Sequence, residues 1–225
     1  MERCEKLTRQ LGVPVRPTQL VQAHTVLKGL KEQYADEPVL VLGGRLDNGR
    51  RVVESYGYRN VYTPLDILAW KPNVWPFRQL TDIEKSVTKA ADFSKIAFKA
   101  VIVIHDPRDW GLDIQIACDV LRSQTKTFGQ EYRDNTESTS TDDDAVELIF
   151  CNPDLLWKSD YRLTRFGQGA FKTAFQAVLK EVTGKGYPYT QYGKPHKATY
   201  DFARDVLKSR IAEVSGIVTD PMPEM

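Results

Sequence analysis

The sequence predicts an α/β fold, in which helices cover a parallel or mixed β-sheet. Three short apolar runs, 38–44, 99–105 and 146–151, have the length of buried strands. Segments with apolar residues at helical spacing follow the first two runs, and strands that alternate with helices are typical of this fold class. With 225 residues, the chain is long enough to bury a core without disulfide bonds.

The chain is predicted to begin with two helices and a β-α step. Leu, Val and Ala recur at helical spacing in Glu2–Leu11 and Gln19–Leu30, and prolines separate these segments. The run 38–44 predicts a strand that two glycines close, and a helix is predicted from about residue 47 to Gly57. Residues 58–77 are rich in Tyr, Trp and Pro, which predicts a short strand near 60–63 and then a packed irregular segment.

The remaining elements are predicted from capping signals and periodicity. Thr81 and Glu84 have the spacing of a capping box, so a helix is predicted to start there and run to about Ala91. The segment 134–144 is acidic and lacks apolar residues, and it is predicted to be a disordered surface loop. The other predicted elements are a strand at 99–105, a helix at 111–123, a strand at 146–151, a helix at 168–182 that stops at Gly184, and a helix at 196–211.

Composition excludes several function classes. Lys plus Arg total 31 against 30 Asp plus Glu, so no global charge excess favours binding to nucleic acid. No apolar run approaches the roughly 20 residues of a transmembrane helix. The odd count of three cysteines indicates a reducing compartment, and the charged N-terminal residues do not form a targeting signal.

Gly193-Lys194-Pro195 is the first candidate site. It directly precedes the last predicted helix, where a lysine ammonium and helix N-terminal N–H groups can attract the same phosphate. Taken alone, the tripeptide is more often a solvated lysine in a turn, and we favour that interpretation on the pattern by itself.

Acidic and amide residues that follow two predicted strands form the other candidates. Asp106 and Asp109 come after the strand at 99–105, where α/β enzymes often carry a nucleophile or metal ligand, but they also fit a turn and a helix cap, which we favour. Asn152 and Asp154 follow the strand at 146–151 and are either a ligand-facing loop or a turn. The three histidines lack metal-ligand spacing, so no metal site is predicted.

Four segments together resemble the haloacid-dehalogenase (HAD) superfamily. They are HDPRDWGLDIQIACDVL at 105–121, FCNPDLLW at 150–157, YRLTRFGQGAF at 161–171 and YGKPHKATYDFARDVL at 192–207. Within that superfamily the chain resembles class IIA and the eukaryotic mitochondrial hydrolases of the cat-eye-syndrome-region type. The resemblance implies a partial Rossmann-like core formed by 1–37 and 166–225, with an inserted α/β cap of the C2 type at 38–165.

The resemblance assigns one catalytic residue and leaves others unmatched. Lys194 matches the third family motif, whose lysine stabilises the nucleophile and the phosphoryl group, and Asn152 and Asp154 are expected to be substrate-binding residues of a cap loop. The family nucleophile belongs to an Asp-x-Asp segment expected before Met1, and the acidic Mg²⁺-binding motif is expected after Met225. Mg²⁺ is thus implied for the complete family enzyme, but this chain alone supports no cofactor.

The first hypothesis is therefore a truncated phosphatase-type hydrolase that acts on a small phosphorylated metabolite and is inactive alone. The second is a non-catalytic binding module or a homodimer formed through the cap, for which residues 56–77 are a candidate contact surface. The third is a metal-dependent enzyme that uses Asp106 and Asp109. By resemblance the protein is expected in mitochondria, and otherwise in the cytoplasm.

Overall fold

A five-stranded parallel sheet organises the chain. The computed structural model describes residues 2–129, 132 and 145–215. The strands have the spatial order β2-β1-β3-β4-β7 and all neighbours are parallel. They are β1 (Val39–Leu42), β2 (Val61–Tyr62), β3 (Ala100–Val103), β4 (Glu147–Phe150) and β7 (Thr190–Gln191). The predicted α/β class is confirmed.

Helices cover both faces of the sheet. They are α1 (Glu2–Leu11), α2 (Lys31–Tyr34), α3 (Asn48–Ser55), α4 (Pro64–Trp70), α5 (Asp82–Ser86), α6 (Trp110–Arg122), α7 (Gln168–Thr183) and α8 (Lys197–Ser215), with 3₁₀ helices at Pro17–Gln19, Ala23–Leu30 and Pro72–Val74. Because successive strand residues point to opposite faces, the strands supply two separate apolar clusters. One cluster packs on α4, α6 and α7, and the other packs on α3, α2 and the 3₁₀ helix Ala23–Leu30.

The order of the strands reverses direction once. The chain passes from β1 to β2 on one side, and then returns across β1 to place β3 on the other side. Helix α3 packs on one face of the sheet, whereas α4, α6 and α7 pack on the opposite face. Helices on opposite faces are what right-handed crossovers in opposite directions require, and the reversal leaves a topological switch point between β1 and β3.

Most predicted elements are present, with three differences. The segment after residue 63 was predicted to be irregular, but it forms α4, because Thr63 and Asp66 make a capping box and Pro64 occupies the first turn. The helix that starts after Thr81 ends at Ser86 instead of Ala91. The second predicted helix is mostly 3₁₀, over Ala23–Leu30. The predicted disordered loop 134–144 lies outside the described residues.

Two short strands outside the main sheet were not predicted. Strands β5 (Leu156–Trp157) and β6 (Arg165–Phe166) pair antiparallel and form a two-stranded sheet. Their four residues are exposed, and two-residue strands are too short to show an alternating pattern in the sequence.

The expected cap and core share one packed unit in the described residues. The expected boundary between 165 and 166 falls inside β6, while β7, on the core side of it, pairs with β4. Helix α7 contributes Phe171, Phe175 and Leu179 to the same apolar cluster as β3 and β4. The division into cap and core therefore stays a prediction.

Candidate functional site

The carboxyl edge of the sheet carries every candidate residue. The strands are parallel, so the segments that follow β1, β3, β4 and β7 emerge at one edge. Lys194 follows β7, Asn152 and Asp154 follow β4, and Asp106 and Asp109 follow β3. The fold thus brings the predicted residues to one side of the molecule.

Gly193 fixes the backbone ahead of Lys194. Gly193 has φ +96°, and a Cβ on it would lie 2.3 Å from Cδ of Pro153 and 2.8 Å from the carbonyl oxygen of Cys151. Its N–H donates to Oγ1 of Thr199, in the first turn of α8, at 2.8 Å. Only glycine combines this backbone conformation with so close an approach. The loop after β4 and the start of α8 therefore set the position of Lys194.

Lys194 itself is exposed. No ion pair or side-chain hydrogen bond joins it to another residue in the part of the chain that the structure describes. An exposed ammonium without a carboxylate partner retains its charge for an incoming anion. The geometry is consistent with the phosphate role that the resemblance assigns to this lysine.

The loop after β4 combines a turn with an exposed carboxylate. Oδ1 of Asn152 accepts a hydrogen bond from the N–H of Asp154 at 3.1 Å, and the N–H of Asn152 donates to Oε1 of Gln168 at 2.7 Å. The Asn152 side chain thus closes a local turn, as one of the two sequence interpretations expected. The Asp154 side chain is exposed at the same edge, whereas Gln168 is buried and its Nε2 lacks a hydrogen-bond partner.

A cavity lies at the switch point between β1 and β3. Its volume is about 310 Å³, and glycines after β1 and polar residues after β3 line it. Gly43 approaches the carbonyl of His105 so closely that a Cβ would clash with it, and the N–H of Gly44 donates to the carbonyl of Asp106 at 3.2 Å. The two loops are therefore fixed to each other beside the cavity, at the place where α/β sheets commonly bind ligands.

Three arginines line this cavity. Arg78 is held by Glu84, with Nη2 and Oε1 2.6 Å apart, and by Asp109, with Nη1 and Oδ2 3.4 Å apart. Its Nε is buried without a hydrogen-bond partner. Arg45 and Arg108 are exposed and make no ion pair among the described residues. The cavity is therefore lined by two guanidinium groups without a carboxylate partner in the described region, those of Arg45 and Arg108, and by the guanidinium group of Arg78, which is paired with carboxylates.

Asp113 forms part of the same cavity wall. Burial raises the pKa of its carboxyl group to about 8, the neighbouring Asp109 raises it further, and Arg78 opposes the change. At neutral pH the Asp113 carboxyl group is mainly protonated, because its neutral form needs less hydration than the anion. The cavity lining then holds three arginines against the carboxyl groups of Glu84 and Asp109.

The predicted helix cap after β3 is confirmed. Oδ1 of Asp109 accepts a hydrogen bond from the N–H of Leu112 at 3.2 Å, which caps α6. No group of three or more His, Cys, Asp or Glu side chains within 2–129, 132 and 145–215 could hold a metal ion.

The carbonyl oxygen of Cys151 lies beside Gly193, and its side chain is buried. Burial raises the pKa of the Cys151 thiol to about 12, so almost no thiolate exists at neutral pH. Cys4 and Cys118 are also buried, and all three cysteines are free.

The cavity residues Arg45, Arg78, Arg108 and Asp113 were not predicted as a site. Their positions become meaningful only when β1 and β3 are known to be neighbours, and strand order was not deduced from the sequence. The one available signal was the pair Gly43-Gly44 followed by Arg45, directly after an apolar strand.

Two curated fungal proteins are similar to the chain over nearly its whole length. A cardiolipin synthase (CMP-forming)/mitochondrial hydrolase fusion protein of Schizosaccharomyces pombe is 33% identical over 225 residues, which cover 99% of this chain and 36% of that protein. A mitochondrial hydrolase of Saccharomyces cerevisiae is 34% identical over 216 residues, which cover 95% of this chain and 59% of that protein. No protein-family model matches the chain.

Two solved structures share the fold. A possible sugar phosphatase of the HAD superfamily from Cytophaga hutchinsonii superimposes with a TM-score of 0.54 and 13% identity, over 93% of this chain and 56% of that one. The likeness shows that the chain has the fold of this structure. A hypothetical protein from Pyrococcus horikoshii gives the same TM-score of 0.54 with 17% identity, over 91% of this chain and 57% of that structure.

The curated relatives are longer than the region that they share with this chain. The chain spans 36% and 59% of the two curated relatives, so the activity of those whole proteins is not transferred to it directly. Within 2–129, 132 and 145–215, no helix is both long and apolar enough to cross a membrane.

Proposed function

We propose that this chain is the cap and part of the core of a HAD-like hydrolase of phosphomonoesters, and that Lys194 contacts the phosphoryl group. The supporting observation is the exposed Lys194 ammonium, which lacks an ionic partner in the described region and stands on a backbone that Gly193 fixes. The relatives named mitochondrial hydrolases and the fold shared with a possible sugar phosphatase support the same function. They also support the proposal that the protein acts in mitochondria.

The proposed division of the chain into cap and core places Lys194 between the two parts. The sheet that contains the expected cap strands continues to β7, and Lys194 stands three residues beyond its end at Gln191. We propose that 38–165 forms most of the cap and that 1–37 and 166–225 supply the core side. Lys194 would then lie where the two meet, with Asn152 and Asp154 on the neighbouring loop as substrate-binding residues.

The 225-residue chain is proposed to be inactive alone. Its one Asp-x-Asp, Asp142 to Asp144, lies outside the described residues and does not directly follow an apolar strand in the sequence. Lys194 supplies positive charge but no nucleophile. The purified chain should therefore give no turnover of p-nitrophenyl phosphate with Mg²⁺. Turnover that Lys194→Ala removes and Asp106→Asn retains would contradict the proposed inactivity.

Phosphate binding tests Lys194 independently of turnover. Inorganic phosphate titrated into the chain should shift the amide resonances of Gly193 and its neighbours, and Lys194→Ala should weaken that binding at least about tenfold. Lys180→Ala is the matched control, because Lys180 is equally exposed but lies at the far end of α7. Equal phosphate affinity of the Lys194→Ala variant would refute the role of this lysine.

A second candidate function is association of two copies through the β5–β6 segment. Leu156, Trp157 and Phe166 are exposed by 48%, 42% and 69%, which leaves three large apolar side chains on one small sheet. Residues 56–77 fit this role less well, because Tyr58, Ile67 and Leu68 are buried in the core. Light scattering at high concentration should show a dimer that Trp157→Ser with Phe166→Ser abolishes; a strict monomer would refute this candidate.

A further inference from the structure

The cavity at the switch point has the size and lining of a small-molecule site. Its volume of about 310 Å³ lies at the lower end of the range for metabolite pockets. Part of its wall is apolar and consists of Val41, Leu46, Pro64, Leu65, Ile83 and Leu112. The remaining wall is polar and includes the three arginines. A ligand that fits has a short carbon body and a charged head group.

The charges beside the cavity select an anionic head group. Arg78 is already paired with Glu84 and Asp109, so its charge is largely compensated. Arg45 and Arg108 lie after β1 and β3, on opposite sides of the switch point, and neither has a carboxylate partner in the described part of the chain. Two unpaired guanidinium groups at one cavity can bind the oxygens of a single carboxylate or phosphate.

The rest of the wall is compatible with this ligand. The loops that carry the two arginines are held together by the hydrogen bond from the Gly44 N–H to the Asp106 carbonyl, so both approach the cavity on a fixed backbone. The buried Nε of Arg78 has no hydrogen-bond partner among the described residues, so the cavity wall contains an unmet hydrogen-bond donor.

We propose that the cavity between the carboxyl ends of β1 and β3 binds a small organic anion, whose head group Arg45 and Arg108 hold and whose carbon body contacts the apolar wall. The ligand class is a short-chain carboxylate or phosphate ester. This site is distinct from Lys194, which follows β7, two strands beyond β3. It therefore goes beyond the proposed phosphoryl function and does not depend on it.

The test compares probes that share a carbon body and differ in the head group. Pentanoate, butyl phosphate and neutral butanol are titrated into the ¹⁵N-labelled 225-residue chain at pH 7, and amide resonances are followed. At least one of the two anions should produce saturable shifts at Gly43 and Gly44, and butanol should produce none. The anion that binds more tightly identifies the head group.

Variants locate the charge that is responsible. Arg45→Ala with Arg108→Ala should weaken binding of the preferred anion at least about tenfold. Both side chains are exposed, so the variant should unfold at the temperature of the unmodified chain. Lys194→Ala should leave the shifts at Gly43 and Gly44 unchanged, which separates this site from the proposed phosphate site.

Three results would overturn the proposal. They are the absence of saturable shifts at Gly43 and Gly44 with both anions, equal shifts with butanol, and unchanged affinity in the double arginine variant. Both proposals are supported independently if Lys194→Ala loses phosphate binding and if an anion gives saturable shifts at Gly43 and Gly44 that the double arginine variant weakens.

Discussion

Replacement of Asp113 by asparagine should stabilise the protein at neutral pH. Asp113 is almost fully buried in α6, and burial raises the pKa of its carboxyl group from 3.8 to about 8. In the unfolded chain the same group ionises near its ordinary pKa, so unfolding at neutral pH releases a proton. Asparagine has nearly the same volume and no charge, and it removes this coupling between unfolding and ionisation.

The direction and size of this stability change follow from the pKa of Asp113 in the folded and unfolded states. Below pH 3.8 the group is protonated in both states and has no effect on the pH dependence of stability. As the pH rises from there to about 8, only the unfolded state ionises, and stability falls by about 1.4 kcal/mol per pH unit. At pH 7 the raised pKa of Asp113 therefore lowers the free energy of unfolding by about 4 kcal/mol. About 3 kcal/mol of this loss arises between pH 5 and pH 7.

Urea unfolding of both proteins at pH 5, 6, 7 and 8 measures this effect. The free energy of unfolding of Asp113→Asn minus that of the unmodified chain should increase with pH by roughly the amount above, because other titrating groups cancel in the difference. Asp205→Asn is the matched control, because Asp205 is exposed on α8. The free energy of unfolding of Asp205→Asn minus that of the unmodified chain should not change with pH. A difference for Asp113→Asn that does not change between pH 5 and pH 7 would refute the reasoning.

Three other variants test packing and charge. Arg50→Ala should lower the free energy of unfolding in urea by about 3–5 kcal/mol. Nη1 of Arg50 lies 2.8 Å from the fully buried carboxylate of Asp66, which would lose this ion-pair partner. A loss below about 1 kcal/mol would contradict this account. Gly193→Ala should lower the melting temperature more than Gly184→Ala. Both glycines have positive φ, but only a Cβ added at Gly193 would have other atoms within 4 Å. Equal losses would show that backbone strain alone determines the effect. Lys194→Ala should leave the melting temperature within about 2 °C of that of the unmodified chain, because the side chain is exposed and has no ionic partner in the described region. A larger loss would indicate a structural role for Lys194.

The sequence predicted the strands better than it predicted the site. The buried strands β1, β3 and β4 are continuous apolar runs, and such runs are visible without tertiary information. The two-residue strand β7 carries Thr190 and Gln191, which have no apolar pattern, so only pairing with β4 identifies it. Local signals such as the Thr81–Glu84 capping box were also confirmed, because both partners lie within one helical turn.

The cavity depends on contacts that no local pattern encodes. Arg45 and Arg108 are 63 positions apart in the sequence and come together only because β1 and β3 are adjacent. The altered pKa of Asp113 depends on burial beneath residues from several elements, and an aspartate in the first turn of a helix gives no sign of that burial. Lys194 was found through a resemblance to a family motif and not through its chemistry alone.

The shortness of β2 and β7 has a consequence for association between copies of the chain. These are the outermost strands of the main sheet, and each contains two residues. A two-residue edge offers too few unpaired backbone groups to add a strand from a second molecule, which is a common route to aggregation of sheet proteins. Strand β3 is paired along its whole length on both sides, and β2 and β7 cover half of the outer edges of β1 and β4. Contacts between copies of this chain are therefore expected to use side-chain surfaces rather than an extension of the main sheet.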